Sequence, residues 1–472
     1  MASIDMDNDH GKISEPLIGQ KKEEHEVQNN KSGLWNVFLS TFVAVCGSYA
    51  FGSCVGYSAP AQYQIMSELN LSYSQYSVFG SILNIGAMLG AVTCGRIADY
   101  SGRKGAMWLS SIICIIGWFA IYWSSGPVLL DFGRFLTGYA IGIVSYVVPV
   151  YIGEITPVHL RGALASSNQL LIVIGLSLAY VIGEFVTWRT LALTGMIPCL
   201  FLFVGLFFVP ESPRWLAMNG QQKEFEAALQ KLRGPDADIS QEATMIQEYL
   251  ETLRGLPKVS LLNLFDKSTI RPVFVAVGLM AFQQFVGING IVFYSKKIFI
   301  SAGFDPSVGS VVYACLQVVV TAIGASIIDK AGRRPLLLIS ASGLLLGSLL
   351  VALSFLLKAH HLATDATPIL AVTGVLVYIA AFSVGMGAGP WLIMSEVFPL
   401  HIKGMGGGLV TLMNWFGSWV VSYTFNFLML WSSSGTFFLD ASVCVLAIIF
   451  IYMFVPETKG RSLEEIQASM NS

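Results

Sequence analysis

Ten long stretches of the chain contain no charged residue, and they constrain the fold more than any other feature of the sequence. Most have at least the roughly 20 residues that a helix needs to cross a bilayer core. Only 12% of the 472 residues are charged, against about 25% in soluble proteins. The stretches are Ser32–Ser67, Leu69–Gly95, Gly105–Leu130, Gly162–Gly183, Thr190–Pro210, Pro272–Ser295, Pro306–Ile328, Pro335–Leu357, Ala366–Ser395 and Gly404–Leu439. A soluble core has no place for so many, so the sequence predicts an integral membrane protein.

Two further apolar segments each adjoin a single charged residue. Phe135–Gly153 follows Arg134, and Ala441–Pro456 follows Asp440. Together with the ten uncharged stretches they give twelve candidate spans, six on each side of a charge-rich centre. The predicted fold class is therefore an all-α membrane protein with twelve transmembrane helices.

The charged clusters between the spans occur twice, in the same order and about 230 to 246 residues apart. GRIADYSGRKG is echoed by DKAGRRP, PVYIGEITPVHLRGAL by IMSEVFPLHIKGMGGGL, and PESPRW by PETKGRS; the first copies begin at Gly95, Pro149 and Pro210, and the second at Asp329, Ile393 and Pro456. A membrane protein built from two parallel repeats binds its substrate between them. The duplication therefore indicates a transporter made of two parallel six-helix halves.

The distribution of charge divides the chain into five expected segments. They are a disordered tail at 1–32, the first half at 33–209, a linker at 210–270, the second half at 271–455 and a tail at 456–472. Within the linker, Gln222–Leu232 and Ile239–Leu253 have the apolar spacing of short amphipathic helices. Lysine and arginine concentrate in the loops on the linker's side, which predicts that the linker and both termini are cytoplasmic.

Six amide side chains within the predicted spans indicate a site for a polyhydroxy compound. An amide offers donors and an acceptor together, which matches two adjacent hydroxyls on a sugar, and its burial costs less than burial of a charge. Two tryptophans can present flat apolar faces to the C–H face of a pyranose. The candidate binding residues are Gln169, Gln283, Gln284, Asn289, Gln317, Trp391, Asn414 and Trp415. For any single amide, a hydrogen bond between helices is the alternative role.

Glycines and a proline mark two spans that are expected to be interrupted. Gly287–Gly290 lies in the seventh span, and Gly385, Gly387, Gly389 and Pro390 lie in the tenth. A break within a membrane frees backbone groups and is tolerated only beside protein or a wet cavity. We therefore expect hinges at these positions, with ordinary close packing of glycine as the alternative.

Charged residues at the ends of the spans recur in both halves and form the expected gates. They are Asp99, Arg103, Arg134, Glu154 and Arg161 in the first half, and Asp329, Arg333, Arg334, Glu396 and Lys403 in the second. Charges at a membrane edge need partners. Acids and bases from neighbouring helices are expected to close the cytoplasmic face in one state and to part in the other; static pairing of loops is the alternative.

Seven motifs resemble those of the sugar porter family of the major facilitator superfamily. They are GRIADYSGRK, GRFLTGYAIG, PESPRW, QQFVGINGIVFYS, DKAGRRP, GAGPWLIMSEVFP and PETKGRSLEEI, and they fall within Gly33–Ile466. FGSCVGYSAP is similar to the plant early-dehydration-response-like branch and to class III glucose transporters. The resemblance implies twelve helices, a central hexose site and rocker-switch transport. By motif match, it implies sugar contacts at Gln169, Gln283, Gln284, Asn289, Trp391 and Asn414.

One departure from that family bears on the mechanism. Proton-coupled members have an aspartate in the first helix that pairs with the arginine of the fourth, whereas Ser53 and Cys54 occupy that stretch here. Arg134 therefore lacks its usual partner, which favours facilitated diffusion of a glucose-like monosaccharide. A proton-coupled transporter, a carrier of another polyol such as inositol or a pentose, and a non-transporting sugar sensor are the alternatives.

The remaining sequence features predict neither a metal or cofactor site nor a nucleic-acid partner. The seven cysteines lack metal-ligand spacing, and the sequence shows no nucleophile–base pair or phosphate loop, so no metal, cofactor or enzymatic activity is expected. A net charge of −2 indicates no nucleic-acid partner.

Glu15–Ile18 resembles an acidic dileucine sorting signal, so a vacuolar or plasma membrane is expected, with the monomer as the functional unit.

Overall fold

Helices make up almost all of the chain that the structure, a computed structural model, describes: residues 17–157, 160–255, 269–363, 365–398 and 402–459. The helices before the linker are α1 Leu17–Gly56, α2 Ser58–Glu68, α3 Tyr73–Tyr122, α4 Pro127–Ile155, α5 Arg161–Gly183 and α6 Trp188–Gly205. The linker contains α7 Pro213–Met218, α8 Gln222–Arg233 and α9 Ser240–Gly255. The last two are the short helices that the apolar spacing predicts.

The second half begins with two short helices that together form the seventh span. Its helices are α10 Ile270–Phe285, α11 Ile288–Ala302, α12 Pro306–Ala331, α13 Arg333–Ala359, α14 Thr367–Ala381, α15 Gly389–Val397, α16 Lys403–Trp431 and α17 Ser433–Phe454. A π-helical turn at Phe382–Met386 connects α14 to α15. We call the side of the molecule where α7–α9 lie the linker face, and the opposite side the far face.

The described helices supply the twelve predicted crossings. Ten segments are long and apolar enough to span a membrane by themselves. One of them, α3, has 50 residues and changes direction at Gly102, so it crosses twice. The 29-residue α16 provides the remaining crossing. The fold is therefore the all-α, twelve-span arrangement that the sequence predicts.

The sharp turn inside α3 depends on glycine. Gly102 has a φ of +81°, and a Cβ placed there would lie 2.3 Å from Oε2 of Glu211. Gly332, at the equivalent position of the second repeat, has a φ of +89° and would place a Cβ 2.9 Å from Oε2 of Glu457. An L-residue at either position would be strained and would also displace the glutamate. The duplication therefore includes the backbone turn as well as the charges.

Both interrupted spans lie where the glycines predict them. Gly287 adopts a left-handed conformation with a φ of +100° between α10 and α11, so the seventh span bends there. In the tenth span the π-helical turn at Phe382–Met386 precedes α15, which starts at Gly389. Such π-helical turns occur often at functional sites. The two breaks lie in the same half of the protein, and the side chain of Gln283 connects them.

The first helix is longer than the sequence indicates. Its membrane-spanning part is Leu34–Gly56, but the helical backbone begins at Leu17, within the segment expected to be disordered. Residues 20–28 are rich in Gln, Lys and Glu, which have high helix propensity. Residues 17–32, for which the sequence predicts a disordered tail, have helical backbone in this structure, and residues 1–16 lie outside the described part of the chain.

Two long helix pairs join the halves. α3 packs along α16, and α5 packs along α12. Shorter contacts link α2 to α11, near the far face. The described polar contacts between the halves join these same parts of the chain, and they are part of the functional site.

Candidate functional site

Four of the predicted binding residues form one hydrogen-bonded cluster at the bend of the seventh span. Gln284 Nε2 donates to Oδ1 of Asn414 at 2.5 Å and to Oε1 of Gln283 at 3.2 Å. Asn289 Nδ2 donates to Oε1 of Gln284 at 2.5 Å. The bend at Gly287 brings Asn289 back towards the glutamines, although their spacing does not place them on one helical stripe. We call Gln283, Gln284, Asn289 and Asn414 the amide cluster.

The amide cluster is tied to the break in the tenth span. Gln283 Nε2 donates to the carbonyl oxygens of Met386 at 2.6 Å and Gly387 at 2.8 Å. On the other side of the break, Ser340 Oγ accepts from the Met386 N–H at 2.9 Å and donates to the Ala381 carbonyl at 2.6 Å. The π-helical turn frees these backbone groups, and side chains satisfy them. Gln283 therefore connects the two hinges of the second half.

The other candidate binding residues lie in different surroundings. Gln317 of α12 is buried, and its Oε1 atom has no hydrogen-bond partner. Trp415 is buried and packs edge-on against Phe51 of α1 with ring centroids 5.8 Å apart, so it contacts the first half. Trp391 is half-buried against the apolar residues of α10 and α16. Gln169 lies on α5 with an exposed side chain, and among the described residues it makes no hydrogen bond to the cluster.

A network of charge lies at the linker face of the first half. Arg103 donates from Nε and Nη2 to the two carboxylate oxygens of Glu154, both at 2.9 Å. Ser212 Oγ donates to Glu154 Oε2 at 2.6 Å. Glu211 accepts from the backbone N–H groups of Arg103 and Lys104 at 3.1 Å each, which caps the helix that starts after the turn. All three repeated motifs therefore meet at one point.

The second half repeats this network. Arg333 Nη2 donates to Glu396 Oε1 at 3.2 Å. Glu457 accepts from the backbone N–H groups of Arg333 at 3.0 Å and Arg334 at 3.2 Å. The Arg334 guanidinium also lies over the Tyr452 ring at 5.5 Å. Glu211 and Glu457 were not among the predicted residues, although their shared place in the third repeated motif was a usable signal.

The two capping glutamates differ in their affinity for a proton. Burial raises the pKa of Glu211 above its ordinary value, against the opposing effect of its backbone donors. Burial acts in the same direction on Glu457, but the backbone N–H groups that it accepts from hold its pKa below the ordinary value. Glu211 therefore takes up a proton at a higher pH than Glu457.

The described ion pairs at the linker face join neighbouring helices within each half, and their parting in another state stays a prediction. Arg103–Glu154 lies within the first half and Arg333–Glu396 within the second, so each pair holds its own half together. Asp99 is 70% exposed and approaches Arg103 only to 3.8 Å. The side chains of Arg161, Asp329 and Lys403, which were also expected in the gate, lie outside what the structure describes.

Arg134 lies apart from the other candidate gate residues. It is fully buried in the far part of α4, where its guanidinium donates to the Cys54 carbonyl at 2.7 Å and to the Ser58 hydroxyl. The rings of Tyr57 and Phe79 lie 5.7 and 5.1 Å from it. Arg134 begins a span rather than ends one, so it lies at the opposite end of the bundle from Arg103. Its partners are neutral groups of the first two helices.

A set of polar contacts between the halves closes the far face, and sequence reasoning missed it as a gate. Lys296 Nζ of α11 donates to both oxygens of Glu184, which follows α5, at 2.9 and 3.0 Å. The Glu184 side chain is only 5% exposed. Further contacts join Asn84 to Ser418 and Ser422, Ser77 to Asn426, Ser177 to the Ala314 carbonyl, and Tyr180 to the Val292 carbonyl. We call this set the far-face contacts.

Comparison with known proteins identifies the family. The sequence profile described as "Sugar (and other) transporter" matches residues 25–470. The chain belongs to this family of sugar transporters. It is similar to two proteins of Arabidopsis thaliana, "Sugar transporter ERD6-like 8" at 63% identity and "Sugar transporter ERD6-like 7" at 57%. These alignments cover 97% of this chain, with 97% of the first relative and 98% of the second. The family consists of carriers, so the chain is a carrier and not an enzyme.

Solved structures of a bacterial family member have the same fold. The inward-open conformation of the xylose transporter XylE from E. coli is similar with a TM-score of 0.78 and 27% identity, over 92% of this chain and 99% of that one. The proton:xylose symporter XylE bound to 6-bromo-6-deoxy-D-glucose gives a TM-score of 0.77 and 26% identity, over 93% and 100%. The predicted twelve-span major facilitator fold and the predicted resemblance to the sugar porter family are thus confirmed.

The bidentate pair in the first half should be a main source of that half's stability. Replacing Arg103 by Ala leaves Glu154, 13% exposed, without its cation, and we expect a loss of about 3–5 kcal/mol. Asp99→Asn is the matched control, because that exposed contact is worth at most about 1 kcal/mol. The free energy of unfolding in mixed detergent micelles measures both. Equal losses in the two variants would contradict the importance of the bidentate pair.

Proposed function

We propose that the chain carries a glucose-like monosaccharide across a membrane by alternating access, as facilitated diffusion down the sugar gradient. The observation that carries this proposal is the amide cluster at the meeting point of two broken spans. The relatives are named sugar transporters, and the similar solved structures are of a xylose transporter, in one case bound to a deoxyglucose derivative. Their ligands belong to the class of small polyols that neutral amides recognise.

The cluster suits an exchange of hydrogen bonds with a sugar. Gln284 bonds to Gln283, Asn289 and Asn414, so both its amino group and its carbonyl oxygen have neutral partners. Sugar hydroxyls entering here replace amide–amide bonds by amide–hydroxyl bonds of similar strength, and no charge is left uncompensated. The unpaired Oε1 of Gln317 offers a further acceptor in a buried position. Binding then acts directly on the bend at Gly287.

The contacts at the two faces support rocking of two rigid bodies. The ion pairs at the linker face lie within each half, so they hold the halves as units while these move. The far-face contacts join the halves and must part when the far face opens. The described conformation is therefore one in which the far face is closed, and the far-face contacts are the outer gate.

The surroundings of Arg134 favour facilitated diffusion over proton coupling. Its guanidinium is bound by a carbonyl, a hydroxyl and two aromatic rings. No described carboxylate lies within ion-pair distance of it, so this arginine has no acid whose protonation it would control.

We propose that the linker face is cytoplasmic, that the monomer functions alone, and that the carrier lies in the vacuolar or plasma membrane.

Loss of either of two amides should strongly reduce transport without loss of the fold. Gln283→Ala or Asn289→Ala should lower glucose uptake by at least about tenfold, because each removes hydrogen bonds worth about 1–1.5 kcal/mol apiece. Gln247→Ala, an exposed linker amide bonded to Gln222 at 3.0 Å, is the matched control. Uptake of labelled sugars, normalised to the protein in the membrane, measures the effect. Normal uptake in both site variants would disprove the assignment.

Sugar uptake should not be coupled to proton movement. In proteoliposomes buffered to the same pH on both sides, we expect a proton ionophore to leave the initial rate of glucose uptake unchanged. Sugar-driven alkalinisation is measured in parallel with an enclosed pH dye. Proton movement in a fixed ratio to glucose would replace facilitated diffusion by symport.

The outer gate can be tested by exchanging its charges. Lys296→Met leaves the Glu184 side chain, 5% exposed, without its cation, which destabilises the far-face-closed state and should slow uptake by about tenfold or more. Exchange of the two residues, Glu184→Lys with Lys296→Glu, should restore most of the rate. Lys358→Met is the control, since Lys358 is an exposed residue that donates to the Ser301 carbonyl of its own half. A swapped variant no better than Lys296→Met would refute the gate.

A further inference from the structure

The twelfth span contains an acid that the transport mechanism above does not use. Asp440 lies in α17, is 7% exposed, and its Oδ2 atom has no hydrogen-bond partner. No described cation forms an ion pair with it. An ionisable side chain within a span is costly and is rarely present without a function.

Asp440 is directed at the hinge of the seventh span. A Cβ on Gly287 would lie 2.6 Å from Oδ2 and 2.8 Å from Oδ1 of Asp440, so the carboxyl group contacts the backbone at the bend. Gly287 immediately precedes α11. The carboxyl group therefore faces the N-terminus of a 15-residue helix, whose first N–H groups have no partner within the helix.

The groups around Asp440 leave its charge uncompensated. Its titratable neighbours are Tyr378 of α14 and Cys444 of its own helix, neither of them cationic. The Tyr378 hydroxyl already donates to the Val286 carbonyl at 3.0 Å, next to the same hinge. Among the described residues of the helices packed on α17, we find no lysine or arginine beside this carboxyl group. A neutral, protonated acid fits this environment, whereas a carboxylate does not.

Ionisation would change the conformation that is favoured at Gly287. A carboxylate is attracted to the free N–H groups at the start of α11, and in the described conformation it makes no hydrogen bond to them. Turning these N–H groups towards Asp440 moves Ile288 and Asn289, and Asn289 belongs to the amide cluster. The proton on Asp440 and the bend that shapes the sugar site are therefore linked.

We propose that Asp440 is a proton-binding site whose occupancy sets the bend of the seventh span, so that sugar transport depends on pH through this residue. The inference rests on the proposed function. The proton stabilises the far-face-closed conformation, and its loss favours the rearranged hinge. Uptake and release of this proton on the same side of the membrane makes transport pH-sensitive without moving protons with the sugar.

The test is exchange of labelled glucose across proteoliposomes at equal pH on both sides, from about pH 5.5 to about pH 8, where a single site alters an equilibrium by at most about tenfold per unit. We expect the wild-type rate to change by about fivefold or more over this range. Asp440→Asn should give a flat profile, and Asp440→Glu should keep a profile with a displaced midpoint. Asp131→Asn, which removes another acid with an unpaired buried oxygen in a span, should keep the wild-type profile.

A second measurement separates this inference from the proposed function. Hydrogen–deuterium exchange of the amides at 286–291, without sugar, should match between wild type and Asp440→Asn at about pH 5.5 and be faster in the wild type at about pH 8. A flat wild-type transport profile, or an Asp440→Asn profile equal to the wild type, would overturn the proposal. A wild-type protein that moves no sugar at any pH refutes the transport assignment, and the hinge exchange then decides on Asp440. If Asp440→Asn does not fold, an undisplaced midpoint in Asp440→Glu refutes the proton site.

Discussion

Backbone groups freed inside a membrane must find partners within the protein, and this requirement governs the functional half of the molecule. The π-helical turn of the tenth span leaves carbonyl groups at Met386 and Gly387, and Gln283 binds both. The same side chain accepts from Gln284, the centre of the amide cluster. A sugar that competes for these amides therefore competes with the bonds that stabilise the break. Substrate recognition and helix bending depend on one set of hydrogen bonds.

The duplicated motifs have a different role, which is to make each half rigid. In both repeats a glycine with positive φ lets the chain turn sharply at the linker face, and a glutamate from the half's last motif caps the helix that follows. The first copy joins Arg103 to Glu154 through two hydrogen bonds, and the second joins Arg333 to Glu396. The same frame thus supports both halves, including the one that holds the amide cluster and both hinges.

The sequence predicts those features that depend on local composition. The length of the apolar stretches determines the twelve spans, and glycine content reveals the bends at Gly287 and at 385–389. Pairings between distant residues are not available from such patterns. Glu154 and Glu211 lie 51 and 108 residues from Arg103, and their charge alone does not say whether they bind within one half or across two. Lys296 and Glu184 were visible as charges, but only packing of the two halves places them together.

The position of the capping glutamates in the chain has a consequence for assembly. Glu211 follows the sixth span and Glu457 follows the twelfth, so each is among the last residues of its half to be synthesised. In each half, the glutamate that caps the helix starting at Arg103 or Arg333 is therefore available only after all six helices have been synthesised. The first half can complete its network while the second is still being translated, whereas the second completes its own only after its sixth span has been synthesised. Biogenesis therefore proceeds as two successive closures, and the later one involves the half that binds the substrate.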